Sequence, residues 1–318
     1  GPGAWREEKT SGRIAGGQAV HCIPSPARET FVPLPRWPFA PRPVLMRGKD
    51  RARPRRPSPL MWPPMTAIPS PALWLASADD ARDDAVMRSL ALDEALLEEA
   101  HEGLRPATVV RVWMAARPVV VVGSSSRVEE EVDVAACREA GVPIVRRPSG
   151  GATVILGPGC LMWSVITPFP EGVPAVERLH GAMLDPLARG LVAAGRAASR
   201  RGTSDLVVEA AGELRKVSGN ALRVRRQGVL YHGTLLDAFD IPLAERLLRH
   251  PPREPDYRGK RAHGAFLANL SLGRARLEAI VREAFGAVAD FPAAAIPEPR
   301  VERLLRERYL APDWTHRL

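Results

Sequence analysis

Lysine is nearly missing from this chain of 318 residues: 41 of its 45 basic residues are arginine, and the four lysines are Lys9, Lys49, Lys216 and Lys260. Cysteine is equally scarce. Cys22, Cys137 and Cys160 are too few and too scattered for a disulfide framework, and no CxxC or His/Cys cluster has metal-ligand spacing. That usage fits a protein of the reducing cytoplasm. No apolar run approaches the roughly 18 residues of a membrane span, and no charged-then-apolar-then-small signal peptide precedes Met65. Neither a Walker lysine nor a GxGxxG is present, which excludes P-loop and Rossmann fingerprints. No self-similarity recurs at a period of about 20–50 residues.

What is present is unevenly distributed. The net charge of +9 suggests a nucleic-acid partner until it is located: residues 1–64 hold 12 Lys+Arg against 4 Asp+Glu, and the other 254 residues hold 33 against 32. The folded part is therefore nearly neutral, and a nucleic-acid footprint, which clusters on a folded surface, is not expected. Residues 1–64 also carry 13 of the 32 prolines and the run Arg51-Ala-Arg-Pro-Arg-Arg56. This composition predicts a solvated, disordered extension, with Met65 as a plausible start and residues 65–318 as one domain.

Within that domain, apolar residues recur at helical spacing over Asp83–His101. Val109–Met114 and Val119–Val122, joined through Ala-Ala-Arg-Pro, predict a hairpin with Trp113 facing the core. Asp133–Ala140 predicts a helix that stops at Gly141. Strands are expected at Ile144–Arg147, Ala152–Leu156, Leu161–Thr167, Asp205–Glu209, Lys216–Val224 and Val229–Leu236, the last two joined by a hairpin. Helices are expected at Ala175–Ala198, Pro242–Leu248 and Arg274–Phe285. Strands in runs with helices between the runs predict an α+β fold with a mixed, largely antiparallel sheet.

Two segments carry chemistry. Arg146-Arg147-Pro148-Ser149-Gly150-Gly151 ends a strand in a glycine turn, where bare backbone N–H groups can approach an anion and the arginines can neutralise it; an ordinary turn has the same look. Ser204 to Leu236 holds Asp205, then Lys216-Val-Ser218-Gly219-Asn220, then His232-Gly-Thr234. A compact ammonium suits a position between a carbonyl oxygen and a phosphate, as in an acyl-adenylate under attack by an amine, although a lysine on an edge strand is the plainer alternative. His232 fits a satisfied core histidine as well as a catalyst, Asp205 either orients a site group or caps a strand, and Cys160 fits a small buried thiol. Nothing resembles a Ser/His/Asp triad by spacing.

Six ordered segments, Leu92-Asp-Glu94, Val112-Trp113, Arg146-Arg-x-Ser-Gly-Gly151, Ser204-Asp-Leu-Val-Val208, Lys216-Val-Ser-Gly-Asn-Ala221 and His232-Gly-Thr-Leu-Leu236, together resemble the biotin/lipoate protein ligase superfamily. The resemblance is greatest to its lipoate–protein ligase A branch and covers roughly residues 75 to 270. It implies a catalytic domain that attaches lipoate or octanoate to a lysine of an acceptor carrier, through an acyl-AMP made from ATP with magnesium. The acceptor would be a lipoyl domain of a 2-oxoacid dehydrogenase or a glycine-cleavage carrier protein, with no membrane partner. By resemblance Lys216 would contact the acyl carbonyl and the phosphate, Arg147, Ser149, Gly150 and Gly151 would line the site, and Asp205, Ser218, Gly219, Asn220 and His232 would complete the acyl and nucleotide subsites.

Two departures from the family pattern open alternatives. Ligases usually carry a third glycine and then a His-Asp-x-Gly-Asn run, where this chain has Ala152-Thr-Val-Ile-Leu-Gly-Pro-Gly-Cys160. The small accessory domain common in full ligases has no room before Leu318, so a separate accessory protein or a preactivated donor is expected. The glycine-arginine loop of biotin ligases is replaced by Gly123-Ser-Ser-Ser-Arg127. One alternative is an ATP-independent octanoyltransferase working through a cysteine thioester. Its nucleophile would be Cys160, since Gly195–Thr203, where one subgroup holds its cysteine, has none. The other alternative is a degenerate, non-catalytic acyl-binding protein.

Overall fold

A computed structural model describes residues 72–77, 82–210 and 212–318, all within the second of the two units into which the chain divides, Met61–Leu318. The expected extension over residues 1–64, Cys22 and the boundary at Met65 lie outside the described residues.

The fold is α+β. A large mixed sheet has the strand order β11-β1-β2-β6-β10-β9-β8-β7. In chain order these strands are β1 (Ala72–Ala76), β2 (Thr108–Met114), β6 (Cys160–Pro168), β7 (Ala198–Arg201), β8 (Asp205–Ala210), β9 (Glu213–Arg225), β10 (Gly228–Leu236) and β11 (Ala287–Asp290). The pairs made by β1 are parallel and the others antiparallel. A second sheet of β3 (Val119–Val122), β4 (Ile144–Arg146) and β5 (Val154–Leu156) lies beside it, in the order β4-β3-β5. Along β2 the side chains alternate between two cores. Val110 and Val112 pack with helices α4 (Val176–Ala193) and α7 (Arg274–Ala284), whereas Trp113 packs with α1 (Ala85–His101) and the small sheet.

The expected hairpin between β2 and β3 does not form. β3 pairs with β4 in parallel and with β5 in antiparallel, and β2 pairs with β1 and β6. Val119–Val122 is buried along its whole length. An unbroken valine run has no alternation to commit it to one neighbour, and it suits the centre of a sheet covered on both faces. The helix expected to reach Ala198 stops at Ala193. Gly195 takes φ +81, and the chain re-enters the sheet as β7.

The C-terminal residues, unread in the sequence, complete the domain. Helix α8 (Glu298–Leu304) packs on α1. Beyond it, Tyr309 Oη donates to the buried Glu94 carboxylate, and Arg308 pairs with the same group. The last turns grip β4. Thr315 O accepts from two guanidinium nitrogens of Arg146 at 2.9 and 2.7 Å, and Trp314 Nε1 donates to Arg146 O at 2.9 Å. Arg146 is fully buried and also donates to Gly123 O and Ser126 O.

Candidate active site

Lys216 owes its place to an irregularity. Asp205 lies opposite Gly219 and Leu206 opposite Ser218, but Val207 lies opposite Lys216, so Val217 is an extra residue on β9. This β-bulge reverses the alternation and brings Lys216 onto the face that holds Asp205 and Gly219. Lys216 Nζ then sits 2.8 Å from Asp205 Oδ1, and Tyr257 Oη donates to Asp205 Oδ2 at 2.8 Å. Gly219 keeps the room above it clear: a Cβ there would stand 2.8 Å from Nζ.

Asn220 faces Gly233 across the β9–β10 pair. Its amide is held by Ser204 O and by the Ser218 hydroxyl, which donates to Oδ1. A Cβ on Gly233 would lie 1.6 Å from that Oδ1, so only glycine allows the amide to lie flat on the strand.

The segment after β4 is arranged as an anion cradle. The carbonyls of residues 148–152 are all capped from within the protein, by Arg223, Ser124 N, Arg147, Ser126 and Arg147 in turn. The N–H groups of Ser149, Gly150, Gly151 and Ala152 have no acceptor among the described residues. Capped acceptors and unpaired donors give the loop a net positive face. Gly123 makes this possible, because a Cβ there would stand 1.9 Å from Gly151 O. The guanidinium donors of Arg146 and Arg147 go to backbone carbonyls and to Ser149 Oγ, while Arg147 still borders the cleft. Burial pushes the Arg147 guanidinium down to about 10, still a cation at neutral pH.

His232 is brought to the same place by register. Arg111 of β2 lies opposite Ser164 of β6, which lies opposite His232 of β10, so the three form a polar row across adjacent strands. Asp93, on α1, covers that row. It pairs with Arg111, and Oδ1 accepts from Ser164 Oγ at 2.9 Å. His232 Nε2 is 2.5 Å from Ser149 Oγ. Burial would raise the Asp93 carboxyl, but Arg111, and after it His232 and Ser164, hold it below the usual carboxylate range. Asp93 and Arg111 were given no role from sequence, although Asp93 stood in a matched segment. An acid in the buried stripe of an amphipathic helix is the signal that was available.

Two cavities meet at Lys216. One is an apolar slot between Ile155, Leu236, Phe239, Leu248, Phe266 and Leu267. The other is a wider cleft of about 400 Å³, of mixed lining, bordered by Leu90, Leu156 and Met162 and by Arg147, Asp205 and His232. Ala152–Val154, Lys216, Gly219 and Thr234 border both. Glu131, which sequence reasoning passed over, borders the slot and accepts from both Thr153 N and Thr153 Oγ1 at 2.7 Å. Cys160 stands apart. It is fully buried, lines neither cavity, and burial pushes its thiol up to about 12.

For magnesium, no group of three or more His, Cys, Asp or Glu side chains among the described residues could hold a metal ion. The cleft carboxylates are engaged, Asp205 by Lys216 and Tyr257, Glu254 by His250 and the Lys260 N–H. The described residues therefore offer no cage of their own for the ion.

The sequence profile of the lipoyl protein ligase A/B catalytic domain matches residues 85–280, and the chain belongs to that family. It is 31% identical to the octanoyltransferase LipM of Carboxydothermus hydrogenoformans, over 72% of this chain and 94% of that protein. It is 34% identical to a provisionally named lipoate-protein ligase A of Aeropyrum pernix over half of this chain, and spans 57% of that relative's length. The fold matches a bipartite lipoate protein ligase of Thermoplasma acidophilum, from a structural study that includes its E2 lipoyl domain (TM-score 0.64, 20% identity, 78% of this chain and 96% of that one). It also matches a lipoate-protein ligase A bound with ATP (TM-score 0.62, 20% identity, 77% and 97%). Both relatives named in the sequence comparison are enzymes. No helix among the described residues is long and apolar enough to cross a membrane.

Proposed function

We propose that this protein attaches a lipoyl or octanoyl group to a lysine of a lipoyl-type carrier domain, by way of an acyl-adenylate formed from the free acid and ATP. One observation carries the reading: Lys216 stands where the apolar slot opens into the cleft, beside a loop whose N–H groups are unpaired. An acyl chain in the slot would bring its carbonyl to Lys216 Nζ. An adjoining phosphate would face the N–H groups of Ser149, Gly150 and Gly151. Negative charge grows on both oxygens as an amine attacks, and preorganised donors act at that point. Asp205 and Tyr257 aim the ammonium, and Ser218 and Ser204 hold the Asn220 amide at the edge of the cleft. Magnesium would enter with the nucleotide phosphates. Acceptor carriers of this kind and a cytoplasmic setting belong to the same proposal, as does a separate accessory protein.

A second reading, octanoyl transfer from a carrier thioester without ATP, draws support from the LipM relative and its long coverage. A thiolate is the nucleophile in such chemistry, and Cys160 is buried with its thiol raised, while Cys137 is buried and raised as well. Cys160→Ser is therefore expected to leave acyl transfer within about twofold of the parent, because a neutral buried thiol contributes packing only. A loss of a hundredfold or more in that variant, with folding intact, would restore the thioester route.

The deciding measurement is the intact mass of a lipoyl domain after incubation with the full chain. One arm contains lipoate, ATP and magnesium, and the other octanoyl-acyl carrier protein without ATP. An acyl mass shift in the first arm alone is expected. A shift in the second alone selects the transferase, and no shift in either overturns a self-sufficient ligase and leaves a missing accessory partner or the acyl-binding scaffold.

A further inference from the structure

Two buried polar atoms face each other behind the cleft without a partner. His232 Nδ1 and Asp93 Oδ2 are 3.8 Å apart, and each lacks a hydrogen bond among the described residues. His232 and Asp93 are 3% and 1% exposed, so bulk solvent does not reach them. A buried polar group without a partner is costly, and two that face each other call for an explanation.

Arg147 Nε donates to Ser149 Oγ at 3.1 Å. With one proton and two lone pairs, Ser149 Oγ can accept from Arg147 and still donate to His232 Nε2, 2.5 Å away. A histidine that accepts at Nε2 carries its proton on Nδ1, which faces the Asp93 carboxylate. Asp93 is held ionised by Arg111 and Ser164 on its other side. The order Asp93, His232, Ser149 is that of a general-base relay assembled from α1, β10 and the β4 turn.

The chemistry at this cleft needs such a group. As the acceptor lysine nitrogen bonds to the acyl carbon, the bond from that carbon to phosphate breaks with its electron pair, and the nitrogen must lose a proton. Among the residues lining the cleft, Arg147, Lys216 and Arg253 are cations, and Asp205 and Glu254 are already engaged. His232 is the imidazole there.

We propose that the proton leaves the attacking amine through the Ser149 hydroxyl to His232 Nε2, with Asp93 stabilising the imidazolium. Ser149 gains the amine proton as it yields its own, so the serine ends unchanged and one proton resides on His232. Ser149 is not acylated in this scheme. Asp93 and His232 act through it and are positioning residues. The inference rests on the acyl-transfer reading above.

Hydroxylamine separates this role from a structural one, because its nitrogen is already unprotonated near neutral pH and attacks without a base. The full chain is supplied with whichever donor the parent accepts, and product is measured with hydroxylamine and with a lipoyl domain, each above an enzyme-free blank. For His232→Gln, whose amide oxygen still accepts from Ser149, hydroxamate is expected within about twofold of the parent, and lipoyl-domain acylation down by about a hundredfold or more. Asp93→Asn, which keeps an oxygen for Arg111, is expected to show the same split in milder form and decides the matter if the first variant is unfolded. Equal losses with both acceptors, or no loss with either, overturn the relay. A parent protein that acylates no lipoyl domain overturns the acyl-transfer reading instead.

Discussion

Lys216→Ala is expected to lower acyl transfer to a lipoyl domain by about 10²–10³-fold, the loss typical of removing one preorganised donor from a developing oxyanion. Circular dichroism and the thermal midpoint should stay close to the parent's. The separation follows from the surroundings. Lys216 has a side chain 24% exposed, and its one ionic partner, Asp205, retains the Tyr257 hydroxyl when the ammonium is gone. Asp205 is buried and loses its cation, but Tyr257 still donates to it, which limits the loss of stability. Lys216→Arg is expected to restore less than a tenth of the activity, because the planar fork is wider than an ammonium and the space over Gly219 is fitted to Nζ. Activity near the parent's in Lys216→Ala would remove this residue from the chemistry and leave the acyl-binding scaffold as the better account.

The largest expected effect on stability is at Arg146. Replacing it with methionine keeps the apolar stem but leaves Gly123 O, Ser126 O and Thr315 O without their charged donor in a fully buried setting. Each lost bond to a charged group is worth about 1.5–3 kcal/mol when measured singly, and part is recovered by relaxation, so a net loss of about 3–4 kcal/mol in urea unfolding is expected. Acyl transfer should fall as well, since Gly123 packs on Gly151 O and Ser124 N caps Ser149 O. A loss below about 1 kcal/mol would mean that the cradle holds itself without the C-terminal turns.

How much of this was legible in the sequence depended on whether a residue's role is local. Lys216, Asp205, Asn220 and His232 sit in a segment whose small residues and strand pattern announce close packing, and the structure brings all four to one cleft. The β9–β10 hairpin was legible because Arg226-Gln227 spans it at two residues. Roles created by distant register were not. Asp93 acts on His232 because α1 lies over a polar row whose members come from three strands, and no spacing along the chain reports that. Arg146 and Arg147 stand together in sequence next to a glycine turn, which suggests anion ligands, yet their burial turns them onto carbonyls. The bulge at Val217 was equally hidden, since strict alternation would have put Lys216 on the opposite face from Asp205. β3 was read as a strand with its observed bounds, but its partner was missed because four valines fit any buried strand.

The ion pair between Lys216 and Asp205 also bears on which amine becomes acylated. A protein that holds an activated acyl group beside a primary amine of its own risks modifying itself. With three protons on Nζ and a carboxylate oxygen 2.8 Å away, Lys216 presents hydrogens to the acyl group and no lone pair. Lys260 is the one other lysine among the described residues, and it borders neither cavity. The guanidinium groups that carry nearly all the remaining positive charge are poor nucleophiles. The acceptor's lysine thus meets little competition from the chain that serves it.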